Sequence, residues 1–166
     1  MIRTSIVAIA LSLLLGAAPA AASQTSLAPL VAATTWLNGR PSADDLRGKV
    51  VLIDVFTVDC YNCKNVTPNL RNLSETERGQ LAIVGVHTPE TRYERDRAHV
   101  VGSLKDLGIT WPVAIDDDSA LWNAYGVQYW PTQLIFDRKG HLRKTVIGDS
   151  QDDVVNAEIR TLLAEK

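Results

Sequence analysis

Val50-Val51-Leu52-Ile53-Asp54-Val55-Phe56-Thr57-Val58-Asp59-Cys60-Tyr61-Asn62-Cys63 decides the fold. Its first seven residues are apolar except for Asp54. That run is too continuous for a strand with one wet face, so a central strand buried on both sides is expected. The only two cysteines of the chain follow, spaced as Cys-x-x-Cys. Beyond them Cys63, Val66, Leu70 and Leu73 recur three or four residues apart, the spacing of one helix face. The dithiol therefore falls at a strand-to-helix junction. Cys60 takes the helix start, where unpaired backbone N–H groups and the helix dipole favour a thiolate. Cys63 shares the apolar stripe and should be the more buried of the two.

Upstream, Met1 to Arg3 carries one positive charge, Ser5 to Gly16 is almost wholly apolar, and Ala18 to Ser23 offers small residues suited to signal-peptidase cleavage. Residues 1–22 read as an export signal, cleaved or else kept as a membrane anchor. A lipoprotein is excluded, because the first cysteine is Cys60. Loss of that segment removes Arg3 as its one charged side chain, so 17 basic residues become 16 against 19 acidic ones, a net charge of −3. That balance points away from nucleic acid and from an anionic membrane surface. With apolar residues at 46 % of the chain, the remainder suffices for one domain with its own core. Residues 23–35 are expected to be an extended arm and residues 36–166 the domain.

Within the domain, Trp36 and Leu37 end a strand at an Asn38-Gly39 turn. Ser42 caps a short helix over Ala43 to Leu46, and the helix from Cys60 runs toward Arg78 with a kink at Pro68. Leu81 to Val86 is a second buried strand. Thr88-Pro89 reads as a cap and first residue of a charged helix whose apolar face is Tyr93, Val100, Leu104 and Leu107, with Gly108 as its stop. Pro112 to Ile115 is a third strand, and Asp118 or Ser119 opens a helix through Tyr125. Thr132 to Phe136 and His141 to Ile147 form a hairpin. The last helix opens at Asp149 or Ser150, with Val154, Ala157, Leu162 and Leu163 on one face. Alternating strands and helices predict an α/β sandwich of parallel strands with a late antiparallel edge.

The chemistry centres on the dithiol. A structural zinc would want four ligands, and His87, His99 and His141 have no ligand spacing to the cysteine pair, so neither metal nor cofactor is expected. Asp54 is a carboxylate inside an apolar strand, where burial raises its pKa and suits it to accept a proton.

Four ordered stretches resemble one family. Leu46 to Asp54, Cys60-Tyr61-Asn62-Cys63, Val84 to Glu90, and Trp122 to Gly126 running on to Tyr129-Trp130-Pro131 are similar to the thioredoxin-like fold, within it the exported TlpA and ResA type of thiol-disulfide oxidoreductase, and above all the thioredoxin-like domain of DipZ-type proteins. The resemblance implies a three-layer sandwich with a mixed central sheet and helices on both faces. It implies that Cys60 attacks a client disulfide, that Cys63 resolves the intermediate, and that Asp54 deprotonates Cys63. It makes Pro131 a cis-proline facing the dithiol, with Trp130, Tyr61 and Asn62 against the substrate, and it puts Glu90 where a glutamate tunes the cysteines. By the same likeness the protein is a periplasmic or otherwise exported monomer that acts on disulfide-containing proteins, as in cytochrome c biogenesis, and draws electrons from a membrane donor of the DsbD or CcdA kind. Asp59 departs from the pattern, which has an aromatic residue there, and its charge should oppose a Cys60 thiolate. Phe56 stands where tryptophan is common, and Tyr61-Asn62 lacks the frequent proline. His87 reads as a packed or capping histidine, and Lys64 as a solvated lysine within reach of Cys60.

Two rivals remain. Thr57-x-x-Cys60 matches the threonine and cysteine of a peroxiredoxin-like peroxidase, although that family's proline would fall at Ile53. A copper-binding assembly factor shares the fold and uses two cysteines and a histidine, but spaces its cysteines by three residues.

Overall fold

The computed structural model describes residues 26–165, so the expected signal and the start of the expected arm lie outside the described residues. In chain order the elements are α1 (Ala28–Ala32), β1 (Trp36–Leu37), α2 (Ala43–Leu46), β2 (Val50–Phe56), α3 (Tyr61–Thr76), β3 (Leu81–His87), a 3-10 turn (Tyr93–Arg95), α4 (Arg97–Asp106), β4 (Val113–Ile115), α5 (Ala120–Ala124), β5 (Thr132–Phe136), β6 (Leu142–Ile147) and α6 (Asp152–Ala164). Six strands form one sheet in the order β1-β4-β3-β2-β5-β6. β2, β3 and β4 run parallel, while β5, β6 and β1 pair antiparallel with their neighbours.

All seven residues of β2 are buried, which the unbroken apolar run required. Side chains alternate across a strand, and the core divides accordingly. Val50, Leu52 and Phe56 pack with Val66, Leu70, Val100, Leu104, Val155 and Ile159, so α3, α4 and α6 cover that face. Val51, Ile53 and Val55 pack with Leu30, Leu46, Leu121 and Tyr125 from α1, α2 and α5 on the other. The mixed sheet with helices on both faces is thus as expected. Asp54 shares the parity of Leu52 and Phe56, and so points to the α3 side.

Several local expectations need correction. The described part of residues 23–35 is not extended. Pro29 stands in the first turn of α1, and Leu30 is buried, its N–H donating to the Tyr125 hydroxyl at 3.2 Å. No helix begins at Pro89. The Thr88 hydroxyl donates to Asp116 at 2.8 Å, and α4 begins only after Asp96, whose carboxylate accepts from the His99 N–H at 2.9 Å. Tyr93 accordingly lies exposed in the 3-10 turn rather than on an apolar helix face. α5 opens at Ser119 as expected, with Asp118 accepting the Ala120 N–H at 3.2 Å, but the Ser119 side chain makes no cap hydrogen bond and Asp116 takes the N–H groups of Leu121 and Trp122. In α6 the buried stripe is Val155, Ile159 and Leu162, whereas Val154 is exposed. The Asn38-Gly39 turn forms as expected, both residues having positive φ, 57° and 95°.

Candidate active site

β2 delivers the chain to its own C-terminal end, and Cys60 is the N-cap of α3. Cys60 and Cys63 are joined as a disulfide. Cys63 is 3 % exposed and belongs to the core cluster under α3, while Cys60 is half-buried at the surface. The Cys60 Sγ accepts the N–H of Cys63 at 3.2 Å. In the reduced protein that N–H, together with the N-terminal end of the α3 dipole, is placed to stabilise a Cys60 thiolate. One sulfur is open to attack and be attacked, and the other waits behind it. Pro68 lies inside α3 and offers no N–H to the preceding turn, whereas the neighbouring Thr67 hydroxyl donates back to the Cys63 carbonyl at 3.1 Å.

Asp54 lies on the sheet face that carries α3, 2 % exposed. Burial pushes its pKa up to about 7, against a smaller downward pull from the amide of Gln133, its partner across β5. Neither Asp54 Oδ1 nor Gln133 Nε2 has a well-formed hydrogen bond. A buried carboxyl on the Cys63 side of the sheet, ionising near neutrality, is fitted to take up the second thiol's proton.

Trp130-Pro131 is the cis peptide bond among the described residues. Pro131 is buried, and the Trp130 ring lies against Trp122 with centroids 4.4 Å apart. Beside the dithiol, Tyr61 is 77 % exposed and Asn62 is exposed as well. Tyr129, next to Trp130, is also open to solvent. Tyr61, Asn62 and Tyr129 thus present their side chains to solvent. A cavity of about 520 Å³ lies among Asn38 to Pro41, Lys49, Arg78 and Leu81 to Val84, by the N-terminal ends of β2 and β3, at the opposite end of these strands from the cysteines.

Glu90 is exposed, and it is its backbone that takes part, donating its N–H to Glu94 at 2.9 Å. The buried glutamate is Glu94, 1 % exposed. Its carboxylate accepts from the Thr57 hydroxyl and from the N–H groups of Asp59, Glu90 and Thr91. Desolvation pushes its pKa up, but the Thr57 hydroxyl and the N–H groups of Thr91 and Asp59 outweigh it and hold the group below the usual carboxylate range. Glu94 thus ties the Thr57–Asp59 turn that aims Cys60 to the segment after β3. Sequence reading missed it, although Thr91-Arg92-Tyr93-Glu94 has the Thr-x-x-Glu spacing of a capping box. The Thr91 and Glu94 side chains do serve each other's backbone N–H, at 3.4 and 2.7 Å.

Thr57 and His87 bear on the rivals. The Thr57 hydroxyl is buried and committed to Glu94, not presented to a peroxide beside Cys60. His87 is fully buried against Phe56 with Nε2 2.9 Å from the Glu94 carbonyl, and burial holds its pKa low, so it is the packed histidine expected. Lys64 is exposed. Asp59, also at the surface, faces His99, whose Nε2 lies 3.0 Å from each carboxylate oxygen. Nothing in the sequence linked those two residues.

Comparison with known proteins agrees with this geometry. The Redoxin family model matches residues 24–163. Protein DipZ of Mycobacterium tuberculosis is 36 % identical over 135 residues, 78 % of this chain but 19 % of DipZ, so the chain spans about a fifth of that relative. The thiol-disulfide oxidoreductase YkuV of Bacillus subtilis is 30 % identical over 131 residues, 78 % of this chain and 88 % of YkuV. Among solved structures, a thioredoxin-like superfamily protein superposes with a TM-score of 0.72 at 28 % identity, over 81 % of this chain and 94 % of that one. The chain belongs to the Redoxin family, has the thioredoxin-like fold, and counts thiol-disulfide oxidoreductases among its relatives.

Proposed function

We propose that this protein is an exported thiol-disulfide oxidoreductase that reduces disulfides in protein clients. The observation that carries the reading is the asymmetric dithiol: Cys60 at the surface with its sulfur on a helix-start N–H, Cys63 buried behind it, and the ionisable Asp54 on the same side of the sheet. The Cys60 thiolate attacks one sulfur of a client disulfide; an S–S bond forms between Cys60 and the client, and the other client sulfur leaves with the electron pair as a thiolate. Asp54 accepts the Cys63 proton. The Cys63 thiolate then attacks the Cys60 sulfur and expels the second client thiolate. The client has gained two electrons and the protein is left as the Cys60–Cys63 disulfide.

Tyr61, Asn62, Trp130 and Pro131 form the client-facing rim in this reading. Export is supported by the leader-like residues 1–22, and a donor of the DsbD or CcdA kind is what a reductant in an oxidising compartment needs to be recharged. The test uses two variants. Cys60→Ser should abolish disulfide reduction, and Cys63→Ser should accumulate mixed disulfides with its clients, identifiable by mass spectrometry from the envelope fraction. Wild-type reduction rates in Cys60→Ser would end the proposal. A measured potential near those of periplasmic oxidants would reverse its direction.

A further inference from the structure

Asp59 puts a negative charge one residue before the nucleophile, where it disfavours a second negative charge on Cys60. The fold answers this with a residue from another element. His99, in the first turn of α4, places Nε2 3.0 Å from both Asp59 oxygens. Both partners are held. The Asp59 N–H donates to Glu94 at 3.3 Å, which fixes the turn. The His99 N–H donates to Asp96 at 2.9 Å, and the Tyr93 ring lies on the imidazole with centroids 4.2 Å apart. The His99 side chain is only 20 % exposed against 43 % for Asp59, so the contact is partly shielded from water.

We infer that His99 is a positioning residue for the dithiol, holding the Asp59 carboxylate in a hydrogen bond so that its charge bears less on Cys60 and the nucleophilic thiolate forms. This rests on the dithiol reading above. With Nε2 3.0 Å from both oxygens, the ring engages and orients the carboxylate whether or not it is charged. The other charged or titratable groups on the elements around the pair include Asp96 and, on α4, Arg97, Lys105 and Asp106, with Arg92, Tyr93, the buried Glu94 and Arg95 before it and Lys64 on α3. Lys64 shares a small cavity with Val58, Ser103, Asp106 and Leu107. The cost of a carboxylate beside the nucleophile is here offset by a histidine 40 residues away.

The experiment is a double-mutant cycle on the full-length reduced protein, using wild type, His99→Gln, Asp59→Asn and the double variant. The thiolate pKa of Cys60 is read by ultraviolet absorbance, and its rate of attack by reaction with oxidised glutathione. His99→Gln should raise the thiol pKa by roughly half a pH unit, leaving about threefold less thiolate below the pKa. Because nucleophilicity rises as the pKa rises, the rate should fall by only about twofold. Asp59→Asn should lower the pKa, and adding His99→Gln to it should change neither quantity. That last arm separates the inference from mere loss of packing, which would act in both backgrounds. An unmoved pKa in His99→Gln, or an undiminished shift in the Asp59→Asn background, would overturn it. If wild-type Cys60 reacted no faster than an ordinary cysteine, the dithiol reading itself would fall; a reactive wild type matched by His99→Gln sinks only the role of His99.

Discussion

Replacing Asp54 by Asn should make the protein more stable and less active, by amounts that depend on pH in a defined way. The carboxyl ionises at about 7 in the folded chain instead of at 3.8. Between those values the unfolded chain has released a proton that the native one still holds, so unfolding becomes progressively easier as pH rises. The penalty is absent below about pH 3.8, grows through the interval, and levels off above about pH 7. At about 1.4 kcal/mol per tenfold change in proton affinity it amounts to roughly 1.5 kcal/mol at pH 5 and roughly 4 kcal/mol at pH 8, the latter an upper figure. Asn has no proton to lose. Asp54→Asn should therefore gain on wild type by about 2 to 3 kcal/mol between pH 5 and pH 8, read from urea unfolding of the reduced proteins at both pH values. Over the same window resolution of a Cys60–client mixed disulfide should accelerate in wild type and stay slow in the variant. A stability gap that does not widen with pH would refute the claim that Asp54 is desolvated. A normal resolution rate would refute its role as the proton acceptor for Cys63.

Substitutions at two further positions probe the supports of the site. Glu94→Ala strands the Thr57 hydroxyl and the N–H groups of Asp59, Glu90 and Thr91, and should cost about 3 kcal/mol in denaturant unfolding at neutral pH. Because the folded chain holds Glu94 below its ordinary 4.5, the ionised form stabilises the fold above that pH and its contribution is lost as pH falls through the lower folded value; the advantage of wild type over Glu94→Gln should shrink there. Gly85→Ala would put a Cβ 2.9 Å from Phe56 Cε1 and 3.1 Å from Val113 Cγ2. The crowding should lower stability by about 1 to 3 kcal/mol, and an unchanged urea midpoint would show that Phe56 can retreat.

What was legible in the sequence was whatever depends on near neighbours. The unbroken Val50–Phe56 run, the stripe through Cys63, Val66 and Leu70, and the Asn38-Gly39 turn each depend on residues within a few positions. Errors arose where a side chain with a local use found a distant one. Thr88 reads as a helix cap, but its hydroxyl goes to Asp116 on the next strand's exit, and the true cap is Asp96. Glu90 holds the position that the family-like motif points to, while the carboxylate buried under the Cys60 turn belongs to Glu94 four residues later. The Asp59–His99 contact joins the turn before α3 to the first turn of α4, brought together by the packing of the two helices on one sheet face. No periodicity announces such a pair. In α6 the expected face shares Leu162 with the buried one, but Val155 and Ile159 rather than Val154 and Ala157 meet the core; Val154 and Val155 are equally apolar, and tertiary packing alone chooses between them.

The Cys63 N–H that meets the Cys60 sulfur exists in that orientation only while α3 is folded. Oxidation and unfolding therefore form a closed thermodynamic cycle. Whatever this N–H contributes to a thiolate also favours the reduced form of the folded chain, and pulls the couple toward oxidising behaviour. An ionised Asp54 nearby works the other way. The balance is open to measurement without a redox buffer: the unfolding free energies of the oxidised and reduced proteins must differ by the amount that folding shifts the potential, about 1.4 kcal/mol for every 30 mV. If the disulfide form is the harder to unfold, folding has made the dithiol a stronger reductant than the same cysteines in a loose chain.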